Sequence, residues 1–326
     1  MIEPRKVLVC GGAELPVELH SFSRNLGKAL MKNTQCTLVT AGLHFRKEGT
    51  VANDYIIAQA ALDEVKATGA DPATRIQTIL PEKLTPNVTR FKIGNVITVP
   101  NTDARRRRYS MTLMCDVMVS IAGGDTTADI IDLAWLAGKP ILPIAATSKA
   151  SLAAWSKYGD DVAKRLNISK QEADELRTLP ATDNCLVDLC IRTIKRVLRP
   201  QCFVAMPYGK LPLQNVYETI KAAVEEKGYQ AVRVDQQAAI GNLTDAIWDD
   251  IRAAQIMIAD LTSNRPNVYY ELGIGHTLGR FTLLTIYNER GILPPKMPFN
   301  ISHHRILPYG TLESLRTQLD RYLPAV

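Results

Sequence analysis

The chain has no Cys-x-x-Cys pair, no internal repeat and no low-complexity tract. It also has no apolar run near the roughly 20 residues that a membrane-spanning helix needs. Its six cysteines, Cys10, Cys36, Cys115, Cys185, Cys190 and Cys202, mostly stand in apolar strand-like or helical surroundings. That pattern reads as reduced core thiols rather than disulfides, and no metal site is expected. The opening MIEPRKVLVCGG enters a strand without the apolar centre of a leader, so a cytoplasmic protein with no membrane segment is expected. These absences set aside disulfide-stapled, metal-clustered and membrane classes.

What is present is a chain of 326 residues with a formal net charge of +6. That length exceeds the usual domain size of about 100 to 200 residues, which predicts two domains. A mildly basic balance suits anionic small molecules. The run Arg105 to Arg108 has no interleaved aromatic platform beyond Tyr109, which argues against a nucleic-acid partner. A solvated helix face is the plain alternative for that run.

From Lys6 onward, short β-branched runs alternate with helical ones, the signature of parallel α/β layers. KVLVC opens into Gly11-Gly12, CTLVTAG ends on Gly42, and DVMVSIAGG ends on Gly123-Gly124 before a helical stretch and the strand KPILPIA. After Ala150 the chain turns helical and polar as far as Arg199-Pro200-Gln201, where CFVAM starts a second series continued by YQAVRVD, QIMIADL and TLLTIY. The expected fold class is therefore α/β, with two Rossmann-like or flavodoxin-like domains, 1-199 and 200-326. Each has a mainly parallel sheet flanked by helices.

In open α/β sheets the ligand lies where the carboxyl ends of the strands converge. In the second half that rule selects Met206-Pro207-Tyr208-Gly209, Asp235, Asp260 and the loop from Thr262 to Asn267, which feeds a helix carrying Glu271. Pro266 suits a first helical turn and Asn264 is a candidate cap, so the helix dipole should make a charged Glu271 tenable. Gly275, four residues on, is expected to leave space beside it. Asp260 has three open roles: protonating a leaving base, holding a ribose hydroxyl, or capping its loop. Asp235 is a sugar contact or a turn residue, and Asn267 a ligand contact or a cap. His303-His304 is read as adjacent strand residues facing opposite ways, which is poor geometry for a metal.

The stretches FVAMPYGK, VYETIKAAVEEKGYQAVRVD, GNLTDAIWDDIRAAQIMIADLTSNRPNVYYELGIGHTLGR and MPFNISHHRILPY resemble the nucleoside 2-deoxyribosyltransferase-like family, which is akin to TIR domains. The resemblance runs from about Cys202 to Tyr322. It implies that Glu271 acts at the anomeric carbon of a ribosyl or deoxyribosyl group. It also implies that Met206 to Gly209 is the family's MPFG loop, with Tyr208 in place of phenylalanine. An N-glycosidic bond breaks through an oxocarbenium-like state that a carboxylate can stabilise or capture. Nicotinamide leaves NAD as a neutral base and needs no proton donor, whereas most other bases need a general acid.

In the first half, Gly123-Gly124-Asp125-Thr126-Thr127 sits between a strand and a helix, where backbone amides make an anion site. RRRRYSMTLMCDVMVSIAGGDTTADIIDLAWLAGKPILPI resembles the LOG-like superfamily, often called SLOG, whose members accompany TIR and sirtuin domains in bacterial antiviral systems. The resemblance implies a nucleotide pocket made by Gly11, Gly12, Gly42, Arg107, Arg108, Gly123, Gly124, Asp125, Thr126 and Thr127. Arg107 falls where the family's phosphoribohydrolases carry a catalytic arginine. Their GGxGTxxE signature is broken here by Thr126 and Ile130, with Asp129 adjacent, so a sensor is expected rather than a second hydrolase.

Together the resemblances imply an N-terminal sensor for a nucleotide messenger, such as a cyclic ADP-ribose variant or a cyclic oligonucleotide. The C-terminal half would be an enzyme that cleaves NAD as substrate, with no cofactor, in antiphage defence. TIR-like sites commonly complete themselves across protomers, so a ligand-driven homo-oligomer is expected. A nucleoside or nucleotide deoxyribosyltransferase or N-glycosidase of nucleotide metabolism and a non-enzymatic signalling adaptor are the alternative readings.

Overall fold

The computed structural model describes residues 4–45, 47–83, 88–100, 104–207, 211–233, 243–292 and 299–325. The chain divides into two compact units, Met1–Leu198 and Arg199–Val326. Both are α/β with parallel sheets flanked by helices. No helix among the described residues is long and apolar enough to cross a membrane.

The first unit runs β1 (Lys6–Gly11), α1 (His20–Asn33), β2 (Thr37–Thr40), β3 (Leu43–Phe45), α2 (Asn53–Ala67), α3 (Pro72–Arg75), β4 (Ile76–Pro81), β5 (Thr89–Arg90) and β6 (Asn95–Val99). It continues through α4 (Ala104–Met114), β7 (Val117–Ile121), α5 (Asp125–Leu136), β8 (Ile141–Ile144) and α6 (Lys149–Tyr158). The helices α7 (Asp160–Leu166), α8 (Lys170–Thr178) and α9 (Asn184–Leu198) complete it. Six strands form a parallel sheet in the order β6-β4-β2-β1-β7-β8, while β3 and β5 pair antiparallel to each other. Strands buried on both faces need near-continuous apolar sequence, which Val7-Leu8-Val9 and Val117-Met118-Val119 supply. Helix α1 buries Phe22, Leu26 and Leu30 on one stripe and meets α2 at Gly27. A Cβ on Gly27 would lie 2.7 Å from the Ile57 carbonyl oxygen, so glycine lets these helices approach.

The second unit runs β9 (Gln201–Ala205), α10 (Leu211–Glu226), β10 (Gln230–Val232), α11 (Leu243–Ala253), β11 (Ile256–Asp260) and α12 (Pro266–Thr277). It ends with β12 (Phe281–Tyr287), α13 (Phe299–Ser302), β13 (Ile306–Tyr309) and α14 (Leu312–Tyr322). Its parallel sheet has the order β10-β9-β11-β12-β13, a flavodoxin-like arrangement. Alternation along β9 sends Cys202 and Val204 to one face with α10 and α14. Phe203 and Ala205 go to the other face, with α12. Two separate apolar layers result.

The six cysteines are free, five of them buried and Cys185 exposed. Burial pushes the Cys36 thiol up to about 11 and those of Cys115 and Cys190 to about 12, as expected of core thiols.

Candidate active site and candidate nucleotide cleft

The strand orders fix where a ligand could lie. In the second unit the strand order reverses between β9 and β11, and in the first between β1 and β7. Each crevice lies beyond the carboxyl ends of those strands.

In the second unit, β9 ends into Met206 and Pro207, both buried, and β11 ends on Asp260. Tyr208, Gly209 and Asp235 lie outside the described residues. Asp260 is fully buried, and its oxygens are turned to the protein's own donors. The Thr262 amide donates to Oδ1 at 3.0 Å, while the hydroxyls of Thr285 and Tyr309 donate to Oδ2 at 2.9 and 2.8 Å. Burial raises the Asp260 carboxyl above its ordinary value against the opposing pull of these donors. Of the three roles open in the sequence, this arrangement favours the loop cap.

The loop that Asp260 holds is tightly wound. Ser263 and Asn264 both adopt positive φ, 66° and 50°, a conformation that non-glycine residues adopt only when tertiary contacts impose it. The Leu261 amide donates to the Thr285 carbonyl, and the Tyr287 amide donates to the Thr262 hydroxyl. The expected cap is corrected: Arg265 is the N-cap of α12 and makes no side-chain cap bond, while the Asn264 side chain accepts from the Tyr269 hydroxyl at 2.6 Å. With positive φ, Asn264 is a turn residue and not the extended residue that a cap requires. Asn267 is exposed in the first turn.

Glu271 is 4% exposed and faces the sheet with Val268, Leu272 and Gly275. No hydrogen-bond donor or cation among the described residues is paired with its carboxyl group. Burial pushes that carboxyl up from 4.5 to about 7. The expectation of a dipole-stabilised charge is therefore corrected. Glu271 is the sixth residue of α12, beyond the first turn over which the dipole acts, and desolvation dominates. Gly275 does not leave open space either, because a Cβ there would lie 2.5 Å from the Met257 sulfur. It is a close-approach glycine that seats α12 on β11.

Sequence reasoning missed Arg233, which follows β10. It is 6% exposed, and its guanidinium lies 3.9 Å from the Tyr217 ring centroid. Nη2 donates to Gln214 Oε1 at 3.2 Å, and Nη1 lies 3.8 Å from Met206 Sδ. The motif AVRVD placed an arginine at a strand's carboxyl end, but surface exposure is the default for that residue type.

His303 and His304 are not in a strand. They follow α13, and the His304 ring stacks on His276 of α12 at 4.5 Å with an interplanar angle of 18°. Among the described residues no group of three or more His, Cys, Asp or Glu could hold a metal ion.

In the first unit the structure brings Gly11, Gly12, Gly123, Gly124 and Thr127 together. The Gly12 amide donates to the Ile121 carbonyl, and the Thr127 hydroxyl donates to the Gly11 carbonyl at 3.2 Å. Gly124 is the exposed N-cap of α5 with no side-chain cap bond. A Cβ there would meet nothing within 4 Å, and Asp125 and Thr126 beside it are exposed. An uncapped helix start of this kind suits an anion, although Asp125 contributes the opposite charge. Gly123 has φ +87°, and a Cβ would fall 2.2 Å from the Thr127 hydroxyl oxygen. Gly123→Ala is therefore expected to destabilise this unit by roughly 1 to 3 kcal/mol in urea denaturation, because an L residue there is strained and collides with Thr127.

The arginine run is not a uniform face. Arg106 is exposed, but Arg107 is buried, and its Nη1 donates to the carbonyls of Ala41 and Ile79 at 2.9 and 3.3 Å. Arg108 pairs with Asp129 at 3.3 Å. Arg107 thus secures the carboxyl ends of β2 and β4, beside Gly42 with its φ of +69°. Arg90 donates to the same Ala41 carbonyl at 2.8 Å. Asp54, which sequence reasoning also missed, is buried here, where desolvation raises its carboxyl to about 6 against the pull of Arg107 and Arg90. Asn53 is fully buried and accepts from the Ser23 hydroxyl. Both residues start a helix whose sequence carries no ligand motif.

No protein-family model and no curated protein matches the chain. Among solved structures it is similar to the molybdenum cofactor binding protein of Rippkaea orientalis, at 18% identity over 61% of this chain and 99% of that one, with a TM-score of 0.43. It is similar to the CMP N-glycosidase of Clostridium botulinum at 19% identity, 37% and 99% coverage and a TM-score of 0.31. It is also similar to DNA processing protein A of Helicobacter pylori, which binds single-stranded DNA, at 16% identity, 48% and 73% coverage and a TM-score of 0.35. Likenesses this distant carry no activity to this chain, and one fold hosts many functions.

Proposed function

We propose that the chain is a cytoplasmic N-glycosidase whose C-terminal unit cleaves the nicotinamide-ribosyl bond of NAD. The carrying observation is Glu271: a carboxyl on the buried face of α12, in the unit's ligand-side framework, raised to about 7 and unpaired among the described residues. Such a group is costly as structure and useful as chemistry. In the ionised form it would stabilise or capture the positive charge developing at the anomeric carbon.

The state of Asp260 favours NAD over a nucleoside. With its oxygens engaged by Thr262, Thr285 and Tyr309, Asp260 is poorly placed to protonate a departing base. Among the described residues Glu271 is then the one available carboxylate of the site, which suits a substrate whose leaving group departs neutral without a proton, and nicotinamide is such a group. The pyridinium charge would also draw the Glu271 proton off on binding. The limb of kcat in a pH profile is therefore expected below the limb near pH 7 that governs kcat/KM.

The N-terminal unit is proposed as the sensor. A nucleotide messenger would bind at the open start of α5 beside Gly11-Gly12 and favour the active assembly, a homo-oligomer, by differential affinity. NAD depletion would then serve antiphage defence. The test is incubation of the full chain with NAD or deoxynucleosides, each with and without a panel of cyclic and ADP-ribose-derived nucleotides. Messenger-dependent nicotinamide release is expected. Constitutive base release from deoxynucleosides would instead mark a deoxyribosyltransferase or nucleosidase, and no release under any condition would mark an adaptor.

A further inference from the structure

We propose that Arg233 is a positioning residue that sets substrate affinity by holding two elements of the candidate active site together. This rests on the N-glycosidase reading. Arg233 stands just past β10 at the carboxyl edge of the sheet, where its guanidinium meets the segment after β9 and helix α10. Met206 directly follows β9, and Gln214 and Tyr217 lie on α10. Tyr217 is fully buried and Met206 is 2% exposed, so the guanidinium is packed against buried partners.

The geometry uses what only arginine offers. One planar group lays its face on an aromatic ring while its edge reaches the amide of Gln214 and approaches a thioether. A lysine would keep the charge and lose both the planar stack and the forked edge. The clamp lies on the sheet face that carries α10, whereas Glu271 lies on the face that carries α12. Arg233 therefore fixes the part of the edge formed by Met206 and Pro207, away from the carboxyl assigned to the reacting bond. An interaction made equally with bound substrate and transition state, as a remote clamp on the loop after β9 is proposed to be, changes KM and leaves kcat.

The test compares wild type, Arg233→Lys and Arg233→Met as full chains in steady-state NAD cleavage in the presence of the activating nucleotide, with circular dichroism to confirm folding. Both variants are expected to raise KM by on the order of 10-fold or more, with kcat within about 3-fold and the pH limb near 7 unmoved. Arg233→Lys should not rescue. A lowered thermal midpoint with unchanged KM would reduce Arg233 to a stability role and overturn the inference. So would a fall in kcat at unchanged KM, or full rescue by lysine. If wild type cleaves no NAD with any messenger, the NAD-cleaving reading fails separately. Arg233 is then judged by calorimetric binding of nicotinamide riboside, which lacks the phosphate that the N-terminal cleft is proposed to hold, and equal affinity of wild type and Arg233→Met overturns the inference.

Discussion

Glu271→Gln is expected to abolish nicotinamide release and, in the same molecule, to increase stability at alkaline pH. The loss should be on the order of a thousandfold or more, corresponding to ~4 kcal/mol of transition-state stabilisation. Glutamine keeps the shape and the burial but carries no charge to set against an oxocarbenium-like centre. The stability gain follows from the same burial. A carboxyl raised from 4.5 to about 7 on folding holds its proton more tightly in the folded state, so the folded chain is favoured at low pH. That contribution is fully present below about pH 4.5 and is lost as pH rises through about 7, a change of about 3 kcal/mol. Urea denaturation should therefore find Glu271→Gln more stable than wild type at pH 8 by roughly that amount, with the difference vanishing near pH 4.5. A surface or capping glutamate would show neither effect.

Asp260→Ala is expected to be among the most destabilising single substitutions in the second unit. Removing the carboxylate leaves the Thr262 amide and the hydroxyls of Thr285 and Tyr309 without their acceptor. Each orphaned buried donor costs about 1 to 3 kcal/mol, and the two buried hydroxyls alone set an expected loss of roughly 2 to 6 kcal/mol. Asp260→Asn retains one oxygen for the two hydroxyls but turns an amide toward the Thr262 amide, and should lose about 1 to 3 kcal/mol. Thermal or urea denaturation of both variants decides the role of this residue. A general acid would behave differently: Asp260→Asn would fold with wild-type stability and lose only the cleavage of substrates that need a protonated leaving base.

The fold class was legible because three strand-to-glycine junctions recur at Gly11, Gly42 and Gly123 with amphipathic helices between them. Such junctions are what parallel strands need at their carboxyl ends. The strands β4 and β6 escaped notice, although Ile76-Gln77-Thr78-Ile79-Leu80 and Asn95-Val96-Ile97-Thr98-Val99 carry β-branched residues. No glycine-ended loop or motif drew attention to them.

The site was legible only in part, for reasons that are physical rather than statistical. Motif spacing located Glu271, but its protonation depends on neighbours distant in sequence, and here desolvation outweighs the dipole. The loop that carries the left-handed Ser263 and Asn264 is anchored at Asp260 to Thr285 and Tyr309, distant in the chain. Local rules therefore assigned Asn264 to a cap that Arg265 occupies. Arg107 and Arg233 are cations whose burial is set by strand ends, and a run of charges on paper gives no sign of which member turns inward.

The central claim is that one buried carboxyl breaks an N-glycosidic bond. Its most direct test is a mass balance of NAD, nicotinamide and ADP-ribose by mass spectrometry during incubation with the messenger-activated full chain. Wild type is predicted to convert NAD to nicotinamide and ADP-ribose in equal amounts, and Glu271→Gln to leave NAD intact. Equal rates of cleavage by the two proteins, or no cleavage by wild type with any messenger, would contradict the account.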